Sequence, residues 1–324
     1  MLPSRRNKIL LGGGVAVASA LVVVLLLRDG RSTMPPMSGS LPSPVRLSLA
    51  DYDASAPAHR LNLLFIHHSC GGQLLAGQGD EVGTNCVYVS HPNGGDLRAR
   101  LEQNSYVVHE ASYGSQIGEH TDIFDWLPKF RTQMPQILTC ASQDVRLAGD
   151  ERNQIVAFKS CYPNSDFQSA GTPPGNPAGP TLTVWNAKAA YTELLNEFRK
   201  HPQVLFVCMT APPLAPKSPP QPLWKTMAKK LLGRGSSLAA SARLAREFNN
   251  WLTDTNGWLK GYELNNVVVF DYYDILTGHG QSDLCVYPTG DGLDSHPSHQ
   301  GNQLAAAAFV PFLNQSARRA GLVP

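Results

Sequence analysis

Five short apolar runs punctuate the chain from residue 61 onward: Leu61–Ile66, Tyr106–Glu110, Gln154–Phe158, Val204–Met209 and Val267–Asp271. Their continuous apolar character predicts strands covered on both faces, as in a parallel sheet. Between them the period changes. Val184, Ala187, Tyr191, Leu194, Leu195 and Phe198 recur at spacings of three and four, which gathers them on one face of a helix. Leu238, Ala242, Ala245, Phe248 and Leu252 repeat the pattern, and Gln303 to Asn314 reads as a last, Ala-rich helix. Strand and helix in alternation predict an open α/β sandwich with right-handed crossovers.

The first 60 residues follow other rules. Arg5, Arg6 and Lys8 precede an uncharged run from Ile9 to Leu27. As a helix this run spans about 28 Å, enough to cross a hydrocarbon core of about 30 Å. Residues 1–31 therefore read as a signal anchor, with a cleaved signal peptide as the alternative on Ala18-Ser19-Ala20. The basic residues ahead of the run place the remainder of the chain outside the cytoplasm, so the expected location is the membrane with an extracytoplasmic domain. Residues 32–60, rich in Pro, Ser and Ala without apolar period, read as a linker. Residues 61–324 are left for one sizeable α/β domain. A net charge of +2 gives no reason to expect nucleic acid. All six cysteines, Cys70, Cys86, Cys140, Cys161, Cys208 and Cys285, lie beyond the anchor. An exported chain permits disulfides, but the spacing assigns none of the 15 pairings that six cysteines allow.

Ligands in such sheets bind at the carboxyl ends of the strands, and unusual loops fall there. Ser69 lies past the first run, in His67-His68-Ser69-Cys70-Gly71-Gly72. Gly114 and Gly118 lie past the second and Asn164 past the third. Asp294-Ser295-His296-Pro297 comes after the fifth. Residues 162–181 and 211–236 are long and Pro-rich, and the basic stretch 224–234 suits an insertion in contact with solvent, or else an anionic surface. A serine hydroxyl becomes a nucleophile when an imidazole takes its proton and a carboxylate orients that imidazole. Ester cleavage then needs N–H donors for the oxyanion. Ser69, His296, an Asp, glycine amides and Asn164 together offer all of these.

With these residues in this order the chain resembles the SGNH/GDSL hydrolase superfamily over about 260 residues. The resemblance implies a flavodoxin-like three-layer sandwich with a five-stranded parallel sheet. It maps the nucleophile to Ser69, with His67-His68-Ser69-Cys70 where the family usually has Gly-Asp-Ser-Leu. It maps the oxyanion glycine to Gly118 or Gly114, the oxyanion amide to Asn164 and the base to His296. The family's acid stands three residues before the base, where this chain has Leu293, so Asp294 is favoured and Asp291 is kept open. The implied activity is hydrolysis of acyl or acetyl esters of small molecules or glycans, with no metal or organic cofactor; transfer to a sugar hydroxyl is chemically adjacent.

Plainer readings stand beside each of these. Ser69 could cap the following helix, Asn164 could serve a turn, and the glycines could serve only positive φ. Asp294 could cap the last helix, and His299 is a rival base that reads better as a solvated loop residue. The altered serine context leaves a second function in view, a non-catalytic envelope protein binding glycans or partners. A metal site on His67 and His68 is a weaker third, because adjacent side chains on a strand point to opposite faces.

Overall fold

The computed structural model describes residues 41, 43–217 and 237–324. The segment expected to be an anchor and the basic stretch 224–234 lie outside the described residues. Among the described residues no helix is long and apolar enough to cross a membrane.

All five expected strands form. They are β1 (Leu61–Ile66), β5 (Tyr106–Ala111), β8 (Ile155–Lys159), β9 (Leu205–Met209) and β10 (Val267–Phe270). Every residue of β8 and β9 is buried, as continuous apolar runs require. The sheet order is β10-β9-β8-β1-β5-β6-β7, where β6 (Cys140–Ser142) and β7 (Val145–Arg146) are short additions at one edge. The sheet thus has seven strands where five were expected. The two extra strands are too short, and too polar, to leave a periodic signal. The pairings are parallel except between β6 and β7. β1 pairs with β5 on one side (Leu61 opposite Tyr106) and with β8 on the other (Leu63 opposite Ile155). The chain winds outward from β1 in both directions, so a crevice opens at the carboxyl ends of β1 and β8.

Helices cover both faces. On one, α3 (Trp126–Thr139), α4 (Val184–Phe198) and α5 (Leu238–Thr253) close a core that includes Phe130, Phe158, Phe198 and Phe206. The Thr183 hydroxyl caps α4 by accepting from the Asn186 N–H, and Ser237 caps α5 by accepting from the Ala240 N–H. On the other face, α1 (Ser69–Leu75), α2 (Leu97–Gln103), α6 (Tyr272–Leu276) and α7 (His299–Arg319) pack over Leu63, Phe65, Val207 and Phe270. The last helix runs further in both directions than the apolar spacing indicated. Arg318 and Arg319 occupy its final turn, where they complement the helix dipole.

Two small sheets went unanticipated. β2 (Gly77–Gln78), β3 (Val82–Thr84) and β4 (Val87–His91) form a three-stranded flap after α1. Gly72 lets the flap sit close, because a Cβ there would lie 1.9 Å from the Cys86 carbonyl oxygen. β11 (Pro288–Thr289) and β12 (Asp294–Pro297) form a hairpin just before α7.

The compact unit begins at Ser43, inside the stretch expected to be linker. Arg46 reaches Asp271 at 2.8 Å and Asp274 at 3.0 Å. The Thr255 N–H donates to the Val45 carbonyl at 2.8 Å, and Asn314 Nδ2 donates to the Ala54 carbonyl at 2.8 Å. An extended segment held by its backbone shows no apolar period, which is why composition alone reads it as a tether.

Candidate functional site

β1 ends at Ile66, and the next three residues are fixed from β5 and its loop. His67 is fully buried, with Nε2 2.8 Å from Glu110 Oε1 and Nδ1 2.8 Å from the His68 carbonyl. Arg98 pairs with the other oxygen of Glu110. His68 turns elsewhere: Nε2 donates to the Gly118 carbonyl at 2.8 Å, and its ring stacks on Tyr113 at 3.6 Å. Burial, only partly offset by that hydrogen bond, holds His68 below its ordinary pKa. The two rings diverge, as expected for neighbours on an extended chain. Among the described residues no three His, Cys, Asp or Glu side chains cluster as metal ligands do.

Ser69 is the first residue of α1; the capping position belongs to His68, whose side chain makes no capping bond. The Ser69 hydroxyl instead lies 2.9 Å from His296 Nε2. His296 Nδ1 lies 2.7 Å from Asp294 Oδ1, which also accepts the His296 backbone N–H at 3.0 Å. With Nδ1–H directed at a carboxylate, the neutral ring leaves Nε2 to accept from the serine. Asp294 and His296 sit two residues apart on β12, so both side chains share one face of the strand. Ser295 faces the opposite way, is buried, and accepts the Ala215 N–H at 2.8 Å. Burial would raise the Asp294 carboxyl, but the backbone and ring N–H of His296, that ring's charge and the Thr289 hydroxyl hold it below its ordinary pKa. Tyr162 packs edge-on against His296, ring centres 5.1 Å apart.

The other candidates lie differently. Asp291 is exposed, in left-handed backbone at φ 56°, and its carbonyl takes the Lys217 ammonium at 2.7 Å. The Gly114 N–H donates to Glu119 Oε2 at 2.7 Å. The Gly118 N–H donates to Ser115 Oγ at 3.0 Å, and a Cβ on Gly118 would meet Ser112 backbone at 2.1 Å. Neither glycine amide is directed at the serine in this conformation. Asn164 is buried; its Oδ1 accepts the Ile123 N–H at 2.8 Å, and one Nδ2–H goes to Asp122 Oδ1 at 2.7 Å. An amide nitrogen carries two hydrogens, so one donor of Asn164 remains. The Ser69 N–H takes no protein partner among the described residues. His299 opens α7 and directs Nδ1 at the Gly94 carbonyl, 2.6 Å away, which makes it a structural contact and not a solvated loop residue.

Sequence reasoning missed the sulfur beside the serine. Cys161 Sγ lies 3.5 Å from Ser69 Oγ and 3.3 Å from Cys70 Sγ. It also missed Lys129, a buried ammonium that bonds the carbonyls of Ile117 and His120 and so braces the Gly118 loop. A cavity of about 540 Å³ lies against β10 and residues 252–264, and includes none of the Ser69, His296 and Asp294 side chains.

No family model matches the chain, and no curated protein matches it. The solved structures similar to the chain at long range include two of named activity. One is the periplasmic domain of a lipopolysaccharide acetyltransferase from Salmonella ser. Paratyphi A, 11% identical over 78% of this chain and 84% of that one, with a TM-score of 0.35. The other is a family two carbohydrate esterase from Cellvibrio japonicus, 14% identical over 82% of this chain and 63% of that one, with a TM-score of 0.33. Similarity this distant decides neither fold nor chemistry.

Proposed function

We propose that the chain is a serine hydrolase acting on carboxylic esters, a divergent relative of the SGNH/GDSL hydrolases on a flavodoxin-like sheet. The observation that carries this is the relay itself. Ser69 Oγ, His296 Nε2, His296 Nδ1 and Asp294 Oδ1 stand in line at 2.9 and 2.7 Å, although serine and histidine are 227 positions apart. A hydroxyl, an imidazole and a carboxylate in that order at those distances are what nucleophilic catalysis by serine requires.

In this reading His296 Nε2 takes the Ser69 proton as Oγ attacks the ester carbonyl. Asp294 keeps the ring in the productive tautomer and stabilises the imidazolium. The Ser69 N–H and the second Nδ2–H of Asn164 are the donors left for the oxyanion; Gly118 or Gly114 contributes only if its loop turns. His296 then protonates the departing alcohol, and water drawn against the same base releases the acyl group. The domain is exported and held at the membrane by residues 1–31, as the charge asymmetry of the sequence suggests, and it takes small-molecule or glycan esters. Neither metal nor organic cofactor enters these steps.

Ser69→Ala should lower hydrolysis of a short-chain aryl ester by a factor of about a thousand or more. A fluorophosphonate should attach to Ser69 in the parent and not in the variant. Turnover by Ser69→Ala at the parental rate overturns the proposal. The glycine amides bonded elsewhere favour one rival, a glycan- or partner-binding protein that keeps the serine without using it. Glycan binding with no fluorophosphonate capture selects that rival.

A further inference from the structure

Two cysteines meet at the seat of the serine, and the relay uses neither. Cys70 is fully buried on the first turn of α1, one residue after Ser69. Cys161 lies just past β8 and is 8% exposed. Their sulfurs are 3.3 Å apart, close enough for a small movement to bring them to bonding distance. They join two segments that otherwise belong to different strands of the sheet.

We propose that Cys70 and Cys161 form a thiol–disulfide couple, with Cys161 the sulfur that an oxidant reaches through the site. Exposure and charge set the order of attack. Cys161 retains some exposure and Cys70 has none. The hydrogen bond it shares with Cys70, helped by the charge of buried Lys159 and the Ser69 hydroxyl and opposed by burial, holds the Cys161 thiol well below its ordinary pKa. Burial pushes the Cys70 thiol well above its own. The thiolate is the attacking form.

The exchange balances with a small-molecule disulfide as oxidant. The Cys161 thiolate attacks one sulfur of oxidised glutathione, and the S–S bond breaks to release one glutathione thiolate. Cys70 passes its proton to the first glutathione thiolate and attacks Cys161 Sγ, which forms the internal disulfide and releases the second glutathione as a thiolate that takes its proton from water. The two protein thiols are oxidised and the glutathione disulfide is reduced to two thiols.

Closing the bond changes what Ser69 faces, a consequence that rests on reading Ser69 as the nucleophile. Before closure, the Cys161 sulfur lies 3.5 Å from the Ser69 hydroxyl and shares it with His296. After closure the Cys161 sulfur is bonded to Cys70 and His296 is the partner that remains to the Ser69 hydroxyl. The couple therefore slows the serine when reduced and releases it when oxidised.

The test exposes the full-length protein to oxidised glutathione or to dithiothreitol, alkylates it under denaturing conditions and maps its peptides without reduction. The expected result is a linked Cys70–Cys161 peptide after oxidation only, with fluorophosphonate labelling of Ser69 several-fold faster in that state. Cys70→Ser should trap glutathione on Cys161, while Cys161→Ser should leave Cys70 unmodified. Separately alkylated Cys70 and Cys161 after oxidation overturn the couple, as does glutathione captured on Cys70 in Cys161→Ser. A linked peptide with no labelling of Ser69 in either state sustains the couple and sinks the serine reading instead.

Discussion

Asp294 and Asp291 differ by three positions and by everything else. Asp294 accepts twice from His296, whereas the Asp291 side chain is exposed on a left-handed turn. Asp294→Asn should lower kcat for ester hydrolysis on the order of a thousandfold, because an amide no longer fixes the ring tautomer. Asp291→Asn should leave kcat within about twofold, since Asn tolerates the same left-handed backbone; side-by-side kinetics on one aryl ester decide it. The choice between the two carboxylates was open in the sequence because the family's spacing points at Leu293. The structure shows what spacing alone does not carry. Where a carboxylate and an imidazole lie on a strand, two residues of separation bring them to one face, which lets Asp294 and His296 meet at 2.7 Å. The Cys161 sulfur was illegible for another reason, since its neighbour Ser69 is 92 positions away and no local pattern links them.

At the scale of elements, the strands were legible because burial on both faces writes an unbroken apolar run. The flap and the β11–β12 hairpin were not, because two- to five-residue strands with polar side chains follow no period. The Gly118 loop shows how tightly such irregular pieces fit. Gly118→Ala would drive a methyl into Ser112 backbone, and it should lower unfolding stability by about 1–3 kcal/mol, read by urea denaturation. The same loop carries a pH signature. Burial, with Asp125 opposing, pulls Lys129 from its ordinary 10.5 to about 8 in the folded protein. Between those values the unfolded chain holds the proton and the folded chain does not, so stability rises with pH across that window. Lys129→Met removes this dependence. The stability of the parent relative to Lys129→Met should therefore climb from pH 8 toward pH 10, by a few kcal/mol at most.

Across the whole molecule, the folded unit is larger than its periodic part. Arg46 ties the segment ahead of β1 to Asp271 and Asp274 at the far edge of the sheet, beyond β10. Arg46→Ala should lower the melting temperature by a few degrees, corresponding to about 1 kcal/mol after allowance for its partial exposure; an unchanged melting temperature would show that the strap adds nothing. The serine–histidine contact joins residues 227 positions apart. Ser69 emerges early in synthesis, and the imidazole proposed as its base arrives only with the hairpin next to the last helix. On the proposed reading, a ribosome-bound or clipped chain that stops short of residue 294 has the alcohol without the imidazole that would deprotonate it. Capture of a serine-directed probe would therefore report on completed chains alone, and a premature stop anywhere upstream would yield silent protein, however much of the sheet it had assembled.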